Sequence, residues 1–203
     1  MSLFTTDHGK AAYRVDFALY GGAVAGLAAF LLVESPREHG MGLALLVLAG
    51  LAGWTLIEYA LHRYVLHGVQ PFRRWHQEHH DRPQALICTP RILSATLVVT
   101  FVLLPSLALG DVWRSGALSL GVLAGYLAYA ITHHATHHWH GGIGWIKARR
   151  RWHALHHHRE QSGHYGVTTA FWDRAFGSDG ESRRAAAKSI ARRDRRKVEF
   201  WWT

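Results

Sequence analysis

Histidine is the residue type that sets this chain apart, with 17 histidines in 203 residues. Fifteen of them lie between His62 and His164, in spaced groups rather than in one terminal run. Neutral imidazoles are common ligands for iron, zinc and copper, so metal binding is the chemistry that this composition indicates. The sequence contains four histidine boxes, which read HRYVLH, HQEHH, HHATHHWH and HALHHH.

The spacing within two of the boxes predicts that their side chains share one helix face. Residues at i, i+3 and i+4 lie on the same side of an α-helix. HQEHH is therefore expected to point His76, His79 and His80 to one side. The later box is expected to do the same with His153, His156 and His157.

The other two boxes have different spacings. His133 and His137 are i, i+4 partners, whereas His62 and His67 lie roughly 140° apart on a straight helix. Either the helix ends between His62 and His67, or the two flank a site that holds more than one metal. One metal ion rarely takes more than six ligands, and the four boxes offer ten imidazoles at ligand spacing. Two metals fit this number better than one. A loose metal buffer is disfavoured, because it needs no fixed geometry, whereas the spacing HxxHH occurs twice, each time after a pair of apolar stretches.

Four stretches without a charged residue would position the boxes, and they cover residues 17–33, 42–57, 92–109 and 115–131. Each spans roughly 24–27 Å as a helix, which is close to the thickness of a hydrocarbon core. They are apolar on all sides, whereas a helix in a soluble bundle normally keeps a polar stripe. We therefore predict four membrane spans.

Short linkers join these spans into two antiparallel hairpins, at residues 34–41 and 110–114. Lys and Arg are concentrated between the hairpins and after the fourth span, which predicts that these segments and the N-terminus face the cytoplasm. The positive charge on the cytoplasmic segments thus explains the net charge of +9, and no nucleic-acid partner is expected. No cleavable signal peptide is expected, because charged residues precede the first span without a cleavage pattern. Cys88 is the single cysteine, which excludes a disulfide framework within the chain.

The box set resembles the fatty acid hydroxylase/sterol desaturase superfamily, and most closely its fatty acid 2-hydroxylase branch. The likeness runs from about Ile57 to Gly177, through IEYALHRYVLH, LAGYLAYAITHHATHH and EQSGHYGVTTAFWDRAFGS. The resemblance implies an all-α fold, in which a four-helix membrane base of two hairpins lies under a cytosolic helical cap with a di-metal site. The hydroxylase domain would cover residues 12–178, and residues 179–203 would form a basic tail.

The resemblance also implies a ligand set, which is also the catalytic set: His62, His67, His76, His79, His80, His133, His137, His153, His156 and His157. The register of the third box is open, because His134 and His138 also form an HxxxH pair. The Tyr-x-x-Thr sequence before the box favours His133 and His137. His164 is either a further ligand or a group that supports one. Glu58 and Asp173 are candidate carboxylates behind the ligands, with an interfacial anchor and a helix cap as their respective alternatives.

The chemistry that the resemblance implies is O2-dependent hydroxylation of a fatty acyl chain in a lipid, at the carbon next to the carbonyl. Two iron ions would be the cofactor, and zinc can replace them on purification. Electrons are expected from a separate redox protein. The basic segment Lys147–Arg151 either binds an acidic protein of this kind or only reflects the positive-inside topology. The enzyme would be a multi-pass membrane protein with its site on the cytoplasmic side, in a bacterial inner membrane or the eukaryotic endoplasmic reticulum.

Two other functions are compatible with parts of the pattern. A sterol or carotenoid hydroxylase or desaturase of the same superfamily has the same boxes. A membrane metal transporter or storage protein is disfavoured, because its ligands should lie near mid-membrane and the four spans lack them. The segment from Glu181 to Thr203 is expected to form either a membrane-surface helix or a disordered basic tail. Four aromatic residues near the boxes either line a lipid entry or are ordinary interfacial residues: Phe72, Trp75, Trp139 and Trp145.

Overall fold

The computed structural model describes residues 9–86, 96, 98–158 and 163–180, and every regular element in these ranges is helical. The α-helices are α1 (Lys10–Glu34), α2 (Gly40–Ala60), α3 (Phe72–Asp81), α4 (Leu104–Leu109), α5 (Val112–His138), α6 (Gly144–His158) and α7 (Phe171–Ala175). A 3-10 turn, Arg37–His39, joins α1 to α2. One π-helix, Leu61–Leu66, continues α2, and a second, Val99–Leu103, leads into α4. The predicted all-α class is confirmed.

Within the described ranges, three segments are long and apolar enough to cross a membrane: Tyr13–Glu34, Arg37–Leu66 and Val112–His138. They contain three of the four predicted apolar stretches. The remaining stretch, 92–109, lies partly outside the described residues, and its continuous described part, 98–109, is helical. Large apolar side chains face outward on these segments, with Leu32 86% exposed and Leu48 59% exposed. Such an apolar outer surface is expected of helices whose surroundings are lipid rather than water.

Helices α2 and α5 approach each other closely where two glycines face the contact. A Cβ atom on Gly121 would lie 2.9 Å from the Cα of Gly50 and 2.8 Å from the backbone nitrogen of Leu51. A side chain at this position would force the two backbones apart, since real Cβ atoms do not approach so closely. Helix α1 also packs against α5, and Leu31, Leu43 and Ala117, from α1, α2 and α5, form a buried apolar cluster.

The ends of α2 and α5 bring histidines to one end of the bundle. Helix α5 begins after Asp111, whose carboxylate accepts a hydrogen bond from the Arg114 backbone N–H at 2.8 Å. It ends at His138, so the third histidine box forms its last turns. The first box continues α2 as the π-helix Leu61–Leu66. The predicted tail from Glu181 lies outside the described residues.

Candidate metal centre

Nine imidazoles converge into two groups at this end of the bundle, and within each group the potential ligand nitrogens lie within 4.8 Å of one another. Group one consists of His62, His67, His76, His80 and His156. Group two consists of His79, His133, His137 and His153. Four separate stretches of chain supply these residues, and each of them is a predicted histidine box.

His157, the tenth predicted ligand, lies between the two groups. Its Nε2 atom is 3.1 Å from the Nε2 atom of His153 in group two. Its ring stacks on that of His80 in group one, with centroids 4.2 Å apart. The two groups are therefore neighbours, and His157 contacts both of them.

The π-helix explains how His62 and His67 reach the same group despite their five-residue spacing. In a π-helix the backbone hydrogen bonds join residues i and i+5, so residues five apart lie one above the other. The rings of His62 and His67 are accordingly 5.3 Å apart. Of the two predicted alternatives, a helix end between His62 and His67 is wrong, because the π-helix Leu61–Leu66 runs between them. The other, a pair that flanks more than one metal, stays a prediction.

The two HxxHH boxes each contribute to both groups. On α3, His76 and His80 belong to group one and His79 to group two. On α6, His156 belongs to group one and His153 to group two. The shared face predicted from i, i+3 and i+4 spacing is compatible with this division, because the groups lie side by side along that face.

The distances between ring nitrogens fit metal ligation better than hydrogen bonding. Nε2–Nε2 separations are 3.0 Å for His62–His76 and 2.9 Å for His137–His153. The same His76 Nε2 atom is also 3.1 Å from that of His80. One Nε2 atom carries either a proton or a lone pair, so it does not form both contacts as ordinary hydrogen bonds. Two imidazoles bound side by side at about 2.1 Å from one ion have nitrogens about 3 Å apart.

Backbone carbonyls fix the tautomer of two imidazoles in group one. The Nδ1 atom of His62 donates to the carbonyl oxygen of Tyr165 at 2.5 Å, and that of His156 donates to the carbonyl of Gly163 at 2.8 Å. A carbonyl only accepts, so in the neutral rings Nδ1 carries the proton and Nε2 has the free lone pair. Such outer contacts orient metal-binding histidines and raise their basicity.

Group two lacks the equivalent contacts at two of its residues. The Nδ1 atoms of His79 and His153 are buried and have no hydrogen-bond partner among the described residues. The same is true of the Nδ1 atom of His157. The two groups thus differ in the hydrogen bonds at Nδ1 that orient their imidazoles, although both consist of histidines.

Two buried carboxylates hold the loop that supplies these carbonyls. Glu58 accepts hydrogen bonds from the backbone N–H groups of Val167 and Thr168, at 2.6 and 2.9 Å, and from the Thr168 hydroxyl. Asp173 accepts from the backbone N–H groups of Tyr165 and Gly166, at 2.9 and 2.7 Å. Neither carboxylate has a described hydrogen bond to a ligand imidazole. Both act one step further out, through the backbone of residues 163–168.

Burial keeps the imidazoles neutral and therefore able to bind metal. Burial, followed by repulsion between imidazoles, lowers the pKa of His79 to about 3. Burial likewise lowers the pKa of His156 to about 3, and that of His67 to about 4. All three lie far below the ordinary value of 6.5, so near neutral pH the rings carry lone pairs rather than charge.

Four histidines near the boxes that were not among the ten predicted ligands lie outside both groups: His134, His138, His140 and His164. In the third box, His133 and His137 are in group two, whereas His134 and His138 pack against each other with ring centroids 4.6 Å apart. The Nδ1 atom of His134 is 3.2 Å from the Tyr13 hydroxyl on α1. His164 is buried, has a positive φ of 60°, and packs its ring against Trp152 at 4.6 Å. Its two neighbours, Gly163 and Tyr165, supply the carbonyls described above.

The predicted aromatic residues near the boxes occupy two places. Phe72 and Trp75 pack edge to face on α3, with ring centroids 5.6 Å apart. Trp139 and Trp145 flank the turn between α5 and α6 and are each about half exposed. These positions are compatible with either predicted role, as a lipid entry or as interfacial side chains.

Comparison with known proteins gives related sequences. Residues 47–178 match the model of the fatty acid hydroxylase family. A dihydroceramide fatty acyl 2-hydroxylase of Arabidopsis thaliana is 35% identical over 158 residues, which cover 72% of this chain and 65% of that protein. A ceramide very long chain fatty acid hydroxylase of Schizosaccharomyces pombe is 31% identical, over 64% of this chain and 41% of that protein. A human fatty acid 2-hydroxylase is 28% identical, over 71% and 41%.

A solved structure has a similar fold. It is that of full-length Scs7p, in which only the hydroxylase domain is visible. It superposes with a TM-score of 0.72 at 25% sequence identity, covering 85% of this chain and 67% of the other. The chain spans less than two thirds of the length of the curated relatives named above.

Proposed function

The chain belongs to the fatty acid hydroxylase family, and we propose that it is a membrane-bound hydroxylase of lipid acyl chains that acts at the carbon next to the carbonyl. The observation that carries this proposal is the pair of adjacent histidine groups at the end of apolar helices. Several relatives are fatty acid or fatty acyl 2-hydroxylases, which supports the position of attack.

The proposed cofactor is a pair of iron ions, with O2 as the co-substrate. Group one and group two would each hold one ion, and His157 would complete the second set because its Nε2 atom is 3.1 Å from that of His153. When bound, the iron ions would supply the oxidising chemistry by which O2 hydroxylates an unactivated C–H bond. The ten histidines provide neutral ligands, and the carbonyls of Gly163 and Tyr165 keep two of them in the binding tautomer. Zinc, which also binds imidazole well, would give an ordered but inactive protein.

The proposed architecture is a membrane base of four helices in two hairpins, with the cap formed by α3, α6 and the loop to α7. Three apolar segments in the described ranges, and the apolar composition of residues 92–109, support the base. The histidine groups would face the cytoplasm, since the segments between and after the hairpins carry most of the Lys and Arg residues. An acyl chain would then reach the site from the bilayer, and the pocket would select the C–H bond by position. The domain would cover residues 12–178, followed by the basic tail 179–203.

Electrons are proposed to come from a separate redox protein. Lys147 and Arg151 are exposed and one helical turn apart on α6, which carries His153 and His156 further along. An acidic partner docked on this face would lie close to both histidine groups.

Lipid profiling by mass spectrometry tests the function directly. Cells that express the wild type should contain an acyl lipid with one added oxygen atom, and fragmentation should locate it next to the carbonyl. The variant His79→Ala/His156→Ala removes one imidazole from each group and should abolish the product. The variant His140→Ala, at an exposed histidine outside both groups, is the matched control and should retain it. Loss of two hydrogens instead would establish a desaturase. Hydroxylated sterols or carotenoids, without modified acyl chains, would overturn the substrate assignment.

A further inference from the structure

Two arginines on different elements point their charged groups at the same tryptophan. The guanidinium carbon of Arg149, on α6, lies 5.5 Å from the ring centroid of Trp152. The guanidinium carbon of Arg174, on α7, lies 5.8 Å from the same centroid. Cation–π contacts of this length stabilise each arginine, but they leave two positive charges near one another.

Two donors of this cluster have no acceptor among the described residues. The Arg149 Nη1 atom and the Trp152 Nε1 atom are buried without a hydrogen-bond partner in the described part of the chain. Neither arginine forms an ion pair there. Asp173 and Glu58 are nearby, but their oxygens already accept hydrogen bonds from the loop of residues 165–168. Burial and then the charge of Arg174 lower the pKa of the Arg149 guanidinium. Among the described residues, therefore, no carboxylate forms a hydrogen bond with either guanidinium group.

Two exposed aromatic rings flank Arg174 along the chain, Phe171 on α7 and Phe176 directly after it. Phe171 is 60% exposed and Phe176 is 55% exposed, although both are large and apolar. The ring of Trp172 lies between them, with centroid distances of 4.8 Å to Phe171 and 5.8 Å to Phe176. Exposed aromatic rings beside basic groups are typical of surfaces that contact the boundary between lipid headgroups and acyl chains.

One hydrogen bond fixes the depth of this surface. Trp172 Nε1 donates to the hydroxyl of Thr55 on α2 at 2.9 Å. The apolar segment Arg37–Leu66 contains 30 residues and is therefore about 45 Å long, roughly 15 Å more than the hydrocarbon core. If Arg37 lies at the far headgroups, the hydrocarbon core ends within about one turn of Thr55. The aromatic rings would then enter the acyl region while the arginines stay among phosphates.

We propose that Arg149 and Arg174 bind the phosphate of an anionic phospholipid, whose acyl chains contact Phe171 and Phe176. Guanidinium groups form strong, charge-assisted hydrogen bonds with phosphate, which would also supply the missing acceptor. This lipid site is separate from both histidine groups. It rests on the membrane placement proposed above, but not on the identity of the metal or of the substrate.

Native mass spectrometry of the metal-loaded full chain tests the lipid site. The protein, purified in detergent, is supplied with equal amounts of phosphatidylglycerol and phosphatidylcholine, and the lipids retained on it are counted. The wild type should retain phosphatidylglycerol in preference to phosphatidylcholine. Arg149→Gln and Arg174→Gln should each lower phosphatidylglycerol occupancy about fivefold. The matched control Arg37→Gln, at an exposed arginine at the other end of α2, should leave occupancy unchanged.

Two further measurements separate this proposal from a general loss of structure and from the proposed function. Metal content per chain should be the same in all four proteins, because none of these arginines belongs to either histidine group. Incorporation of the wild type into lipid nanodiscs tests the membrane placement independently. The lipid site is wrong if the wild type retains both lipids equally, or if the two variants retain phosphatidylglycerol as the wild type does.

Discussion

The imidazole of His62 and the backbone carbonyl of Tyr165 are 103 residues apart in sequence and joined by a hydrogen bond of 2.5 Å. This contact links the end of α2 to the loop before α7, and Glu58, one turn before His62, binds the same loop at Val167 and Thr168. Orientation of the first histidine box therefore depends on a segment from the far end of the domain. A change in that loop, or in the carboxylates that hold it, should alter the orientation of His62 and lower metal affinity.

Replacement of Glu58 by glutamine tests this dependence. The amide group of glutamine offers one acceptor oxygen where Glu58 offers two to Val167 and Thr168, so the loop should lose part of its support. We expect metal affinity to fall about 10- to 100-fold, as for other groups that orient ligands. Metal content per chain after dialysis measures this effect. Glu34→Gln, at an exposed glutamate at the end of α1, should retain wild-type metal content. Full metal content in Glu58→Gln would show that the loop needs no carboxylate.

Single histidine replacements should remove one metal at a time. His76→Ala takes a ligand from group one only, and His79→Ala takes one from group two only, although the two residues are neighbours on α3. Each variant should bind about one metal ion where the wild type binds about two, as measured by elemental analysis of the purified protein. His140→Ala should bind the wild-type amount. A single ion in the wild type, or loss of both ions in each variant, would contradict two separable sites.

The two sites should release their metals at different rates. In group one, His62 and His156 each donate Nδ1–H to a carbonyl, whereas the Nδ1 atoms of His79 and His153 have no such partner in the described ranges. A chelator should therefore remove one ion well before the other, and the first to leave should be the group-two ion. The time course of chelation in the wild type gives the two phases, and its repetition in His79→Ala should lack the fast one. A single phase in the wild type would mean that the outer contacts do not distinguish the sites.

Acid should destabilise the metal-free protein below about pH 6.5. Burial lowers the pKa of His79 and of His156 to about 3 in the folded chain, whereas both titrate near 6.5 when the chain is unfolded. Between these values the unfolded state binds protons that the folded state does not, so the free energy of unfolding decreases as the pH is lowered. At pH 5.5 the loss should be about 1.4 kcal/mol for each of the two histidines, and above pH 6.5 it should vanish.

Thermal unfolding of the metal-free protein in detergent, at pH 7.5 and 5.5, measures this pH effect. The control His39→Gln, at an exposed histidine, should show the same decrease as the wild type. Equal stability of the wild type at both pH values would mean that the imidazoles gain protons in the folded state.

A side chain at the α2–α5 contact should destabilise the bundle. In Gly121→Val the new Cβ atom would lie 2.9 Å from the Cα of Gly50, so the helices must separate. We expect a loss of about 1–3 kcal/mol in the free energy of unfolding, together with reduced metal content, because α2 and α5 both carry ligands. Gly26→Val, on α1 with no atom within 4 Å of the added Cβ, is the control. Unchanged unfolding in Gly121→Val would show that the contact is loose.

Apolar runs and histidine spacing predicted membrane helices and a metal site, and the resemblance to a known superfamily predicted the all-α class. Apolar runs without charges mark segments that need no polar surroundings, and the structure has long apolar helices where three of the four were expected. The third box was assigned to His133 and His137, and these are the pair found in group two. Ligation by any of the ten histidines remains a prediction.

The division into two groups was not predictable from spacing. Assignment of His79 and His80 to different groups depends on where α3 lies relative to α5 and α6, which no local pattern encodes. The carbonyls of Gly163 and Tyr165 were also missed, because a backbone oxygen is present at every position and carries no sequence signature. The sequence HYG, which begins at His164, did indicate a functional segment, but it indicated the imidazole of His164 rather than the carbonyls of its two neighbours.

The π-helix at Leu61–Leu66 has a consequence for tolerance of insertions and deletions. A π-turn is equivalent to an α-helix with one additional residue, so the five-residue spacing of His62 and His67 marks such an insertion. Deletion of Val65 would change the box to the four-residue spacing of His133 and His137 and leave both imidazoles on one side. Because the π-turn accommodates the additional residue, its removal would leave the chain that leads into α3 close to its present orientation around the helix axis. This segment should therefore tolerate the loss of one residue between the two histidines better than a regular stretch of α2 would.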